Sequence, residues 1–218
     1  MTNLRLVIFD CDGTLVDTEA PSNQAFSKFL KGLDIDISPE RLIHEFAGLS
    51  DQVILQKISQ QTGVFIPDNS AAQVSQLQMD VFKDGVAPVP GVDEAIQLIK
   101  GNGYRLCVAS TSSIERITFT LKGAGLLEHF GDRLFSATQV TRGKPFPDVF
   151  LHAAATMGNA PNECCVVEDT VHGVTAGTAA GMRVFAYSPR GEDEQFTKLG
   201  AVPFKSMSLL PSLISKLG

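Results

Sequence analysis

The sequence predicts an α/β protein: a layered core with a mostly parallel sheet, and a helical bundle inserted after its first strand. Three observations carry that prediction. Short, nearly continuous apolar runs recur and end abruptly in polar residues, the pattern of strands buried on both faces. Helical stretches with glycine stops separate those runs, and such alternation implies right-handed crossovers between parallel neighbours. One long segment, residues 18–85, breaks the alternation with helical periodicity alone.

Residues 4–9 (LRLVIF) form the first strand and lead into Asp10. In the long segment apolar residues recur at helical spacing in four groups: Ala25, Phe26, Phe29 and Leu30; Leu42, Ile43 and Phe46; Val53, Ile54 and Ile58; Val74, Leu77 and Val81. Four helices therefore make a cap, entered near residues 15–18 and left through 83–91 (KDGVAPVPG). The expected division is residues 1–16 and 87–218 for the core and 17–86 for the cap. The core resumes with a helix over 92–100, a strand over 105–109 (RLCVA) ending at Ser110, and a helix over 113–122 stopped by Gly123. A weaker strand over 133–137 and a helix over 147–157 follow, then a strand over 164–167 (CCVV) ending at Glu168 and Asp169. A strand over 183–187 and a helix over 208–217 close the chain.

Composition narrows the function. At 218 residues, 44% apolar and 19% charged, the chain can bury a core without a disulfide or metal staple. The net charge of −6, with 18 Lys and Arg scattered along the chain, provides no basic stripe for nucleic acid. No apolar run is long enough for a membrane span, and the chain opens directly into a strand with no cleavage site after it, so a cytoplasmic protein is expected. Cys11, Cys107, Cys164 and Cys165 lack zinc-ligand spacing and read as buried thiols.

In an open parallel sheet, ligands bind beyond the carboxyl ends of the strands. Asp10, Ser110, Glu168 and Asp169 all stand at such ends, and Lys144 precedes a helix. Gathered carboxylates repel one another and need a cation, and an all-oxygen donor set selects a hard ion such as Mg²⁺. Lys144 and Ser110, with the backbone N–H groups of the turn after it, can hold the oxygens of a phosphate. The pattern suits a transferring phosphoryl group: Asp10 can attack phosphorus, and Asp12 can protonate the leaving oxygen.

These residues carry a family resemblance. DCDGTLVDT at residues 10–18, VAST ending the strand at Ser110, GKPFPDVF around Lys144 and VVEDTVHGVTAGTAAGM around Glu168 and Asp169 resemble, in order, the four motifs of the haloacid dehalogenase superfamily. With the helical insertion after the first motif, the likeness covers essentially the whole chain. It points to the C1-capped subfamily of sugar-phosphate and phosphoglycolate phosphatases and beta-phosphoglucomutase. The resemblance implies a Rossmann-like three-layer core and a C1 cap. It also implies Asp10 as nucleophile and metal ligand, Asp12 as acid and base with its carbonyl on the metal, and Ser110, Thr111 and Lys144 on the phosphate. Asp169 would be a further Mg²⁺ ligand, with Glu168 reaching the metal directly or through water.

Asp12 argues against a dehalogenase proper, since a halide leaves without a proton. The expected reaction is Mg²⁺-dependent hydrolysis of a small phosphate monoester of a sugar, sugar acid or polyol. The alternatives are a phosphosugar mutase and a non-catalytic phosphometabolite-binding protein. The mutase differs mainly in its cap, where Ser22 and Asp51 stand at positions that would carry a histidine and an arginine. Leaving-group recognition is expected from Ser22, Gly48, Ser50 and Asp51, although Gly48 and Ser50 also read as a turn and a helix cap. The oligomeric state is not legible.

Overall fold

The computed structural model describes residues 4–189 and 191–216. Strand β1 (Leu6–Phe9) is followed by four helices, α1 (Glu19–Lys31), α2 (Pro39–Phe46), α3 (Asp51–Thr62) and α4 (Ser70–Val81). The chain then alternates through α5 (Val92–Gly101), β2 (Arg105–Ser110), α6 (Ile114–Gly123), α7 (Leu127–Phe130), β3 (Leu134–Ser136) and α8 (Asp148–Thr156). It finishes with β4 (Cys164–Glu168), α9 (Val171–Ala179), β5 (Arg183–Tyr187), α10 (Asp193–Lys198), β6 (Val202–Phe204) and α11 (Leu210–Ser215).

The strands form one parallel sheet in the order β3-β2-β1-β4-β5-β6. The apolar β1 sits at its centre, Leu6 facing Arg105 on one side and Cys164 on the other. Its side chains alternate between faces, as a pleated strand requires. Val7 and Phe9 pack with residues of α5, α6, α7 and α11, and Leu6 and Ile8 with residues of α8, α9 and α10. The result is the three-layer core expected. A separate apolar cluster of Phe26, Leu30, Leu42, Ile54, Ile58 and Val74 holds the four cap helices together. The two linkers run side by side: Asp17 N–H donates to the Ala87 carbonyl and Val89 N–H to that of Leu15, both at 2.9 Å. No helix among the described residues is long and apolar enough to cross a membrane.

Several boundaries differ from the sequence reading. The first strand begins at Leu6, two residues later than the apolar run suggests. The weak strand over 133–137 shortens to Leu134–Ser136. The closing helix begins with a tighter turn at Met207–Leu209, and its expected last residue, Leu217, lies outside the described residues. The short β6 and α10 were not expected. Pro203 in β6 cannot donate to a ladder, which argues against a strand anywhere except at an edge. β6 is the edge, and its Phe204 carbonyl accepts from Ser188 N–H at 2.8 Å.

Candidate active site

Because all strands are parallel, their carboxyl ends share one rim, and the helices inserted after β1 begin beside that rim. Asp10 leaves β1 with its N–H still bonded to the Val167 carbonyl at 2.9 Å. Lys144 reaches in from the loop before α8 and is fully enclosed. Its ammonium donates to Asp10 Oδ1, to Glu168 Oε1 at 2.7 Å and to the Ala109 carbonyl at 3.2 Å, and lies 4.8 Å from the Phe150 ring centroid. An ammonium has three protons, so this lysine ties together the ends of β1, β2 and β4.

Glu168 spends its other oxygen, Oε2, on the N–H groups of Asp169 and Thr170 and on the Thr170 hydroxyl, each at 2.9 Å. Thr170 in turn caps α9 by accepting from Gly173 N–H at 3.1 Å. Asp169 accepts from the Thr14 hydroxyl at 3.0 Å. Glycine is required at two points of this packing. A β-carbon on Gly13 (φ +81°) would overlap the Asp169 carboxylate, and one on Gly173 would overlap that of Glu168.

Asp10, Glu168 and Asp169 each present an oxygen within 4.8 Å of the others, a group able to hold a metal ion. Burial pushes the Asp10 carboxyl up to about 7; Lys144 opposes the shift and Glu168 reinforces it. Burial, Glu168 and Asp10 raise Asp169 in the same sense. Burial works to lower Lys144, but Asp10 and Glu168 outweigh it and raise its value. Three carboxylates against one ammonium leave an excess of negative charge in a water-poor site. A divalent cation with oxygen ligands would neutralise it, so the residues present fit the metal that the sequence predicts.

Asp12 faces a different environment. Its Oδ1 accepts from the Thr18 hydroxyl at 2.6 Å and its Oδ2 from that of Ser112 at 2.8 Å, with Arg116 Nη2 3.6 Å from Oδ1. Burial opposes ionisation, but the Arg116 charge and the two hydroxyls together hold this carboxyl below the usual range. The two aspartates of the DCD run are thus driven apart in acidity by their surroundings, Asp10 upward by burial and Asp12 downward by a cation and two hydroxyls. Between them, Cys11 points into the core and contacts Thr120 Oγ1 at 3.8 Å, in keeping with a packing role.

All the candidate site residues named from the sequence line one cavity of about 1060 Å³, which the cap roofs. Ser110 is buried at the end of β2 and accepts from Ser112 N–H at 3.1 Å, while the cap of α6 is Ser113. Thr111 is half-buried beside it. On the roof, Ser22 is buried, Gly48 (φ +82°) abuts Thr170, and Ser50 caps α3 by accepting from Val53 N–H at 3.4 Å. Asp148 opens α8 and pairs with Arg142 at 2.8 Å, away from the carboxylate cluster.

Sequence reasoning missed Arg116 and His172. Arg116 comes from the first turn of α6 yet lies 4.0 Å from Asp51, so the cap position that lacks an arginine faces one from the core. A cation in a first helical turn opposes the helix dipole, and that was the available signal. His172 in α9 donates through Nδ1 to the Ala47 carbonyl at 2.7 Å, a further bond between core and cap.

Fold and site together define a capped α/β hydrolase. The chain belongs to the haloacid dehalogenase-like hydrolase family, whose model matches residues 7–187. It is similar to the 6-phosphogluconate phosphatase of Escherichia coli K12, 28% identical over 213 residues that cover 98% of this chain and 96% of that protein. It is also similar to the fructose-1-phosphate phosphatase YqaB of the same strain, 33% identical over 180 residues, or 81% and 92% of the two chains. Among solved structures, the haloacid dehalogenase-like protein ATU0790 of Agrobacterium tumefaciens C58 superposes with a TM-score of 0.82 at 32% identity, covering 98% of this chain and 99% of that one. With phosphatases matching it along 81% or more of its length, the chain is a phosphatase enzyme.

Proposed function

We propose that the protein is a Mg²⁺-dependent phosphatase that hydrolyses a small, hydroxylated phosphate monoester, of a sugar, sugar acid or polyol, through an aspartyl-phosphate on Asp10. The observation that carries this reading is the Lys144 ammonium bonded to both Asp10 and Glu168, beside the Asp10, Glu168 and Asp169 oxygens. That arrangement stations positive charge and a nucleophile where a phosphoryl group would sit. The relatives named for phosphorylated sugars and sugar acids support the substrate class.

Asp10 and Asp169 would hold the Mg²⁺ through side-chain oxygens, with Glu168 contributing through Oε1, since Oε2 is fully engaged. When bound, the ion neutralises the carboxylates and polarises a phosphoryl oxygen. Asp10 attacks phosphorus, the bond to the ester oxygen breaks, and Asp12, which must enter this step protonated, gives its proton to that oxygen. In the second half, water attacks phosphorus and yields its proton to Asp12. The bond to Asp10 breaks, and inorganic phosphate leaves. Lys144 would exchange one of its three protein acceptors for a phosphoryl oxygen, while Ser110 and Thr111 line the same wall. The cap keeps bulk water from the acyl phosphate.

Phosphate release from a panel of sugar, sugar-acid, polyol and nucleotide monophosphates, with Mg²⁺ or EDTA and Asp10→Asn as blank, tests the reading. Magnesium-dependent release confined to a few esters is expected. Silence across the panel from folded, metal-loaded protein would remove it and favour the phosphosugar mutase or a binding role.

A further inference from the structure

Arg116 is a core residue whose hydrogen-bonding partners come from the cap. Its side chain is buried in the cavity wall. Nη1 donates to Gln78 Oε1 on α4, and Nη2 donates to Ser22 Oγ on α1 at 3.1 Å. The guanidinium also lies 3.6 Å from Asp12 Oδ1, 4.0 Å from Asp51 Oδ2 at the start of α3, and 5.4 Å from the ring centroid of Phe82, just past α4. Three cap helices and the second aspartate of the DCD run therefore converge on one side chain.

An arginine buried only to neutralise carboxylates grips them in a bidentate fork. Here the fork is spent on a neutral amide and a hydroxyl of the cap, and both carboxylates stand at ion-pair distance. The cap therefore sets the orientation of the guanidinium. Lifting the cap would break both hydrogen bonds and release a long, charged side chain beside Asp12. With the cap seated, the same group is locked against Oδ1, the oxygen that Thr18 at the cap entrance also bonds at 2.6 Å. Of the groups around Asp12, Arg116 is the one bonded to cap helices, whereas Ser112 holds Oδ2 from the core at 2.8 Å.

We propose that Arg116 is a positioning residue that ties closure of the cap to the placement of the Asp12 carboxyl. The inference rests on the phosphatase reading above. Its consequence is selective: the link matters for leaving groups that need a proton and matters less for one that departs without it.

The test measures phosphate release from a hexitol phosphate and from acetyl phosphate, whose leaving group needs no proton, by wild type, Arg116→Ala, Arg116→Lys and Gln78→Leu. For Arg116→Ala, the loss in kcat with the hexitol ester should exceed the loss with acetyl phosphate at least about tenfold, in the range seen when general acid catalysis is impaired. Free guanidinium at millimolar concentration should restore part of it. Arg116→Lys keeps the charge and loses the fork, so it should remain closer to Arg116→Ala than to wild type. Gln78→Leu should reproduce a smaller loss of the same selectivity, and adding it to Arg116→Ala should cost little more, as coupled sites do. Equal losses on both esters, or no response to guanidinium together with additive losses, would overturn the proposal. If Arg116→Ala fails to fold, Gln78→Leu alone decides, because its loss must still be larger on the hexitol ester than on acetyl phosphate. Wild type inactive on both esters would instead refute the phosphatase reading.

Discussion

Asp10 and Asp12 are separated by one residue, yet their surroundings give them opposite acid–base character. Asp10 is enclosed by protein and by two further carboxylates, whereas Asp12 is bonded by two hydroxyls and faces a guanidinium. The proton transfer proposed for Asp12 predicts that a change there shows in the leaving group and not in phosphoryl binding. Asp12→Asn is expected to lower kcat/KM for alkyl phosphates by about 10²–10⁴ and for acetyl phosphate by much less, and steady-state kinetics on the pair would check it. Equal losses would remove the acid role. For Asp10, replacement by Asn should abolish phosphoenzyme in rapid-quench labelling, because the attacking oxygen is gone. A labelled intermediate in that variant would place the nucleophile elsewhere.

Among the elements, the helical cap folds around its own apolar cluster and reaches the core through a few polar contacts. The fully buried Leu30 of α1 lies in that cluster, remote from the carboxylates. Leu30→Ala should destabilise the protein by about 2–5 kcal/mol, the ordinary result of a core truncation, with a lower midpoint in urea unfolding. An unchanged midpoint would mean that the cluster contributes nothing. The periodic apolar positions of α1 to α4 were legible in the sequence because burial of one helix face imposes them. β6 was not legible: it carries only three residues and a proline, and its strand character comes from pairing with β5. The same holds for Ser113, which caps α6 three residues beyond the serine at the strand end. Both serines had the chemistry of a cap, and the turn between them decided which one served.

At the scale of the whole molecule, the carboxylate cluster opposes the fold that builds it. A carboxyl raised in the folded state stabilises while protonated; that contribution is complete below its unfolded value and is lost as pH rises through the folded one. For Asp10 that loss runs from the ordinary carboxylate range up to about 7, and Asp169 adds in the same direction. In the substrate-free protein Asp12 is shifted the opposite way, so it does not add to this loss. EDTA-treated protein should therefore melt at a lower temperature near about pH 8 than near about pH 6, and Mg²⁺ should raise Tm more at the higher pH. A metal-free Tm that rises over this range would contradict the assignment of Asp10.

By itself the sequence determined the layers, the helical insertion and the strand-end residues that face one rim. Those features follow from local rules: side-chain alternation, helical period, glycine stops, and the habit of parallel strands to end on the same side. Asp10, Ser110, Glu168 and Asp169 were candidates because each stands at a strand end within a recognisable run, and Lys144 because its run lies in the loop before a helix. Only the tertiary structure decided how the charges are shared. It showed Lys144 joining Asp10 to Glu168, Glu168 spending one oxygen on the start of α9, and Arg116 and His172 bonding the cap. Those contacts join residues far apart in the chain, and no periodicity encodes them. They depend on how the cap lies over the rim, which the packing of distant surfaces determines.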